Sequence, residues 1–208
     1  MTLHKTMLYK PLLFLACLIP LGLLAWRGYG NHLGANPIEA ITHETGLWTL
    51  RLLLITLLVT PLRRLTGWNA VQRVRRMLGL FAFFYGTLHF MTYVWLDQFF
   101  IWGDIVHDVM KRPFITVGFG AYLLLLPLAA TSTNVMMKRL GRRWQTLHRL
   151  AYAIPALGVL HYLWLVKADI DPPLMYGVLL SVLLGTRLWW ARRKRNALGK
   201  AMHDPVRV

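Results

Sequence analysis

His148-Arg149-Leu150-Ala151-Tyr152-Ala153-Ile154-Pro155-Ala156-Leu157-Gly158-Val159-Leu160-His161 sets two histidines at the ends of an apolar run. Thirteen residues separate them, which on a helix spans about 20 Å. An imidazole in hydrocarbon is costly unless it has a partner, so a histidine at membrane depth marks a functional position. The spacing suits ligands at two depths of a bilayer core about 30 Å thick. A third histidine, His89, lies in an earlier apolar run that reads Gly86-Thr87-Leu88-His89.

The rest of the chain places these runs in a membrane. Of 208 residues, 56% are hydrophobic and only 15% charged, against about 25% charged in soluble domains. Six spans are expected, at approximately 8–26, 44–62, 77–96, 114–131, 148–166 and 174–191. They make one all-α domain over 1–208, with no room for an additional soluble catalytic domain of ordinary size. Breaker residues separate the spans: Gly28, Gly30, Gly34 and Pro37, then Gly67, Gly103, Gly141, Pro172 and Pro173. No internal repeat is evident. Lys5 and Lys10 precede the apolar run Leu12–Trp26 as in a secretory signal, but no small-x-small cleavage site follows, so the run reads as a retained first helix. Cys17 is the single cysteine, which excludes an internal disulfide and a cysteine-rich metal site.

The net charge of +16 would suggest nucleic acid on a soluble protein. Its placement argues otherwise. Seventeen of the 24 Lys and Arg fall on one side of the six-span layout, including Arg73, Arg75, Arg76, Lys138, Arg139, Arg142, Arg143 and Arg192–Arg195, and seven of the eight acids fall on the other. By the positive-inside rule both termini are cytoplasmic. The basic face fits anionic membrane lipids and also a flavin phosphate or an acidic donor protein.

His89 lies 12 residues into its span and His161 13 residues into its own, so the two reach nearly the same depth, about 18–20 Å from the cytoplasmic side. Imidazole is a common axial ligand of haem iron. Two of them at one depth, on helices running the same way, can clamp a haem edge-on. Gly86 and Gly158 each precede a histidine by three residues. They share its face and would admit a flat macrocycle, although glycine is common in membrane helices anyway. His148, near the cytoplasmic surface, is a ligand for a second haem or an interfacial residue. Its natural partner would fall at Arg75, Arg76 or Met77, of which only Met77 is a haem ligand type; His4 and His203 are further candidates. On an ideal helix His148 and His161 stand about 140° apart and share no face, but Pro155 between them favours a kink. Arg51, inside the second span, either pairs with a haem propionate, pairs with Glu44, or snorkels outward. Arg187 is expected to snorkel to the cytoplasmic surface. His32, His43 and His107 read as surface histidines, of which His43 and His107 could line a quinol or partner site.

The three-histidine layout resembles the ferric reductase-like transmembrane domain shared by NADPH oxidases and metalloreductases. Within that group it is most similar to the MsrQ (YedZ) family. Its most specific stretches are Arg75-Arg76-Met77-Leu78-Gly79 through His89, Arg112-Pro113-Phe114-Ile115-Thr116 through Ser132, and Leu140–His148 through His161-Tyr162-Leu163-Trp164. The resemblance implies haem b, one or two per chain, with His89, His148 and His161 at the ligand positions, and FMN as a further cofactor. It implies a place in the bacterial inner membrane. Electrons would come from a cytoplasmic flavin reductase or from quinol, and would go to a periplasmic molybdopterin enzyme that reduces methionine sulfoxide. Arg75 and Arg76 stand where the oxidases carry a fourth histidine. There is no flavin and nicotinamide domain, so the electron source must be separate. The competing readings are a self-sufficient haem reductase acting on quinone, ferric iron or oxygen, and a haem-free transporter or assembly factor with histidines as helix glue.

Overall fold

A computed structural model describes the backbone of residues 3–166 and 168–203, and the side chains of 9–166 and 168–197. Among the described residues the chain is all helical: α1 (Leu3–Tyr29), α2 (Pro37–Thr66), α3 (Arg75–Met91), α4 (Trp102–Lys111), α5 (Pro113–Ala130), α6 (Asn134–Leu140), α7 (Arg142–Leu147), α8 (Leu150–Leu165) and α9 (Asp171–His203). A 3₁₀ turn, Asn69–Arg73, leads into α3, and a π-helical turn, Thr92–Asp97, extends it.

Among the described residues five helices are long and apolar enough to cross a membrane: α1, α2, α3 with its π extension, α5 and α9. The sixth expected span, α8, is equally apolar but has only 16 residues, about 24 Å of helix against a core of about 30 Å. It is shortened at its start, where His148 and Arg149 form a turn between α7 and α8. His148 is therefore in that turn and not on the helix that carries His161. The breaker residues act as boundaries with one exception. Pro37 sits in the first turn of α2 behind the Asn36 cap, which accepts from the Glu39 amide at 3.2 Å. Gly67 closes α2 in the left-handed conformation. Gly103, expected in a loop, lies inside α4.

Two antiparallel hairpins, α2 with α3 and α5 with α8, make the closest helix pairs. Cys17, Leu53, Leu78, Phe81, Tyr85, Leu125 and Ile154 belong to a buried cluster among α1, α2, α3, α5 and α8. A second cluster joins Leu50, Leu54 and Leu57 of α2 to Tyr176, Leu180 and Leu183 of α9. The central helix α2 thus contributes to both. α1 lies at the edge, with most of its apolar side chains exposed, as a helix facing lipid would be.

Arg187 does not snorkel. Its guanidinium turns inward and donates to the Tyr152 hydroxyl at 2.8 Å and to the Leu57 carbonyl at 2.6 Å. It ties α9 to α8 and α2.

Candidate functional site

His89 near the end of α3 and His161 on α8 line one cavity of about 690 Å³. Their ring centres are 6.1 Å apart with planes at 77°. His89 Nδ1 lies 2.8 Å from the Thr42 carbonyl of α2, and His161 Nδ1 lies 2.6 Å from the Phe114 carbonyl of α5. A carbonyl only accepts, so each Nδ1 carries the proton and donates. Nε2 of each ring is left as the free ligating position. Such a backbone carbonyl is the usual outer partner of a metal-bound imidazole, fixing its tautomer and its orientation.

Both rings pack against a glycine of the helix that holds them. A Cβ on Gly46 would meet the His89 ring at 3.0 Å, and one on Gly118 would meet His161 Nδ1 at 2.7 Å. Each glycine follows the accepting carbonyl by four residues, one helical turn. Gly86 and Gly158 also line the cavity, but a Cβ there would meet leucine and threonine side chains at 3.4 and 3.5 Å, not a histidine. Sequence reasoning found the second pair of glycines and missed the first.

The arrangement is duplicated. Thr42 and His89 are separated by 47 residues, and so are Phe114 and His161. One constant offset of 72 relates Thr42 to Phe114, Gly46 to Gly118, Gly86 to Gly158 and His89 to His161. The hairpin α2–α3 is thus echoed by α5–α8. The repeat escaped sequence reading because, beyond two glycines and the histidine, the identities are mostly leucines such as Leu52–Leu54 with Leu124–Leu126, which are common in any membrane helix.

A second cavity, of about 580 Å³, opens at the basic end and is lined by Arg75, Arg76, Trp144, His148 and Arg149 among others. Leu53 and Leu125, again 72 apart, line both cavities and partition them. The same offset sets Arg76 opposite His148 in the duplicated plan. His148 is held differently from the other two. Its ring stacks on Trp144 with 3.9 Å between centres, and its Nε2 is 3.1 Å from the Thr131 hydroxyl. That hydroxyl gives its proton to the Pro127 carbonyl at 2.6 Å, so His148 Nε2 is the donor to it. The nitrogen that is free in His89 and His161 is engaged in His148.

Arg51 is not on the lining of the first cavity. Its Nε donates to the Tyr176 hydroxyl at 2.9 Å, and its guanidinium lies over Trp48. Glu44 pairs instead with Arg27, at 3.4 Å. Arg75 and Arg76 both reach the second cavity; Arg76 also bonds Asn134 of α6. Met77 packs beside the first apolar cluster, not on this cavity. The side chains of His4 and His203 lie outside the described residues. His32 and His107 are exposed, and His43 is exposed on the rim of the first cavity.

No group of three or more His, Cys, Asp or Glu suited to a metal ion occurs among the described residues. The chemistry on offer is two neutral imidazole donors in an apolar cavity walled by Phe90, Phe119 and Tyr122. That combination could hold a cofactor inside a bundle whose long helices are apolar enough to cross a membrane. Residues 45–159 match the family described as ferric reductase like transmembrane component. The "protein-methionine-sulfoxide reductase heme-binding subunit MsrQ" of Herminiimonas arsenicoxydans is 57% identical over 192 residues, 91% of this chain and 88% of that one. The proteins of the same name from Bordetella pertussis and Xanthomonas axonopodis pv. citri are 54% and 53% identical, covering 88% and 94% of this chain and 91% and 93% of theirs. No solved structure matches. The chain belongs to the ferric reductase-like transmembrane family, in its branch of MsrQ subunits.

Proposed function

We propose that the protein holds one b-type haem between His89 and His161 and relays electrons through it to a periplasmic molybdopterin methionine sulfoxide reductase. The observation that carries this is the donor set. A bare metal ion needs three or four protein ligands, and this cavity offers two. A haem iron brings four nitrogens of its own and lacks only the axial pair. The 6.1 Å between ring centres is the span that two metal–imidazole bonds of about 2 Å, plus half a ring on either side, would cover. The cavity volume of about 690 Å³ lies within the range of cofactor pockets, about 300–1,000 Å³.

The bound haem supplies one-electron transfer. The chain's own residues fix two imidazoles in one tautomer, exclude water with the aromatic wall, and keep the cavity in a low dielectric. Methionine sulfoxide reduction takes two electrons, so successive transfers are summed in the catalytic partner. The protein is then an electron-transfer subunit and not the catalytic one. The excess of Lys and Arg at one end supports the bacterial inner membrane, six spans with α8 as the short one, and both termini in the cytoplasm. The second cavity, rich in arginine and aromatic surface, is the place for electron entry. It suits FMN, a second haem ligated by His148, or contact with a flavin reductase or quinol. A haem there requires the His148 ring to release Thr131.

The test is haem content per chain in purified protein, with the oxidised and reduced spectra. His89→Ala and His161→Ala are each expected to lose a low-spin haem that the parent carries. His148→Ala is expected to keep that haem and to slow its reduction by a flavin donor. Retention of a normal haem by both outer variants would defeat the assignment.

A further inference from the structure

The first cavity is apolar around the imidazoles but has one permanent cation on its rim. Arg112, in the junction between α4 and α5, is the only Lys or Arg on its lining among the described residues. The other ionisable rim groups are Glu39, Asp97 and His43. A haem carries two carboxylates on one edge, and leaving them unpaired beside two acids would be costly. Arg112 is also held in place. Its Nε stands 3.2 Å from Asp108 Oδ1. Asp108 is a buried carboxylate, 8% exposed, and its Oδ2 accepts from the Tyr93 hydroxyl at 3.4 Å and from Gln98 Nε2 at 3.3 Å. Apart from that ion pair the Arg112 guanidinium has no polar partner among the described residues, so the edge carrying the two Nη groups is open. Two residues further on, the Phe114 carbonyl holds His161. The cation and one of the two imidazoles that would hold the iron are thus both positioned at the start of α5.

We infer that Arg112, oriented by the buried Asp108, is the clamp for the haem propionates and fixes which edge of the macrocycle faces the rim. The inference rests on the haem reading above. A guanidinium fork recognises a carboxylate through parallel charge-assisted hydrogen bonds, and a cation near the iron favours the reduced state by simple Coulomb attraction for the added electron.

The experiment uses the full chain in detergent, loaded with haem or with its dimethyl ester, in which the propionates carry no charge. It reads the rate of haem transfer to excess apomyoglobin and the midpoint potential. Arg112→Gln is expected to speed loss of ordinary haem roughly tenfold, the equivalent of one charge-assisted hydrogen bond, and to lower the midpoint potential. Arg112→Lys, which keeps the charge without the fork, should restore the potential more fully than the transfer rate. The parent should lose the ester about as fast as Arg112→Gln loses ordinary haem, and Arg112→Gln should not distinguish the two. Equal rates for ester and acid in the parent would overturn the inference, even if Arg112→Gln failed to fold. So would an Arg112→Gln variant that discriminates as the parent does. Absence of haem from the parent, or its retention in both His89→Ala and His161→Ala, would instead overturn the haem reading itself.

Discussion

Gly118 and Gly46 make room for the histidine rings, while Gly158 and Gly86, which sequence reasoning gave to the approach of a macrocycle, line the same cavity. The close approach at Gly118 and Gly46 is between a ring and the helix opposite, not between a macrocycle and the histidine's own helix. A methyl group on Gly118 would stand 2.7 Å from His161 Nδ1, inside any tolerable contact, and the ring is already braced against the Phe114 carbonyl. Gly118→Ala is therefore expected to break that hydrogen bond and cost most of the bound haem, measured as haem per chain. Gly46→Ala, with its nearest ring atoms at 3.0 Å, should lose less. Gly120, where an added methyl group would meet nothing within 4 Å, is the neutral control. The glycines were visible in the sequence; their partners were not, because a glycine near a span's start is ordinary until another helix is placed against it. Arg51 and Arg112 teach the same point from the other direction. The arginine deep in a span was read as pairing with a propionate, pairing with Glu44 or snorkelling, and it bonds Tyr176, while the rim arginine was read only as part of the Arg112–Thr116 stretch.

Helix α1 is fastened by a device that depends on a proline. Pro20 opens the ladder of α1, and the hydroxyl of Tyr85, 1% exposed, enters the gap. It accepts from the Leu21 amide at 3.2 Å and donates to the Cys17 carbonyl at 2.8 Å, two groups that would otherwise pair with each other. With Pro20 keeping that turn open, Tyr85→Phe strands both. With a cost of about 1–3 kcal/mol for unsatisfied buried polar groups, α1 should detach more often from α3. Cys17 reports this directly, since it is the single cysteine and is buried in the same cluster. Its labelling by a maleimide is expected to accelerate in Tyr85→Phe; an unchanged rate would show that apolar packing alone holds α1. The long helices were readable from hydropathy, but α4, α6 and α7 were not anticipated. In α4 the signal existed: Trp102, Ile105, Val106, Val109 and Met110 follow helical spacing. Ten residues are too few to stand out beside apolar runs twice as long. The π-helical turn after His89 has no signature in composition at all.

The bundle is held by few polar links among many apolar contacts, and Arg187 makes two of them. It joins α9 to α8 and α2 through Tyr152 and Leu57, and stacks on Tyr152 as well. Interhelical polar contacts in membranes contribute about 0.6 kcal/mol on average and up to about 1.7. Arg187→Ala is expected near the upper value, because it removes a charged donor from two acceptors. The measurement is the thermal unfolding midpoint in detergent, which should fall by a few degrees with haem content per folded chain unchanged. A variant as stable as the parent would mean that α9 docks by packing alone.

Hydropathy, charge and a rise of 1.5 Å per residue are properties of a line. They sufficed for the membrane class, for five of the six expected spans and for pairing His89 with His161. Whatever depends on the azimuth of one helix against another lay beyond them. That includes the Thr42 and Phe114 carbonyls that free each Nε2, the glycines beneath the rings, and the turn that takes His148 off its helix. These were decided only when α2 closed on α3 and α5 on α8. A contact between residues 47 positions apart is a relation between surfaces, and a chain read one residue at a time does not contain it.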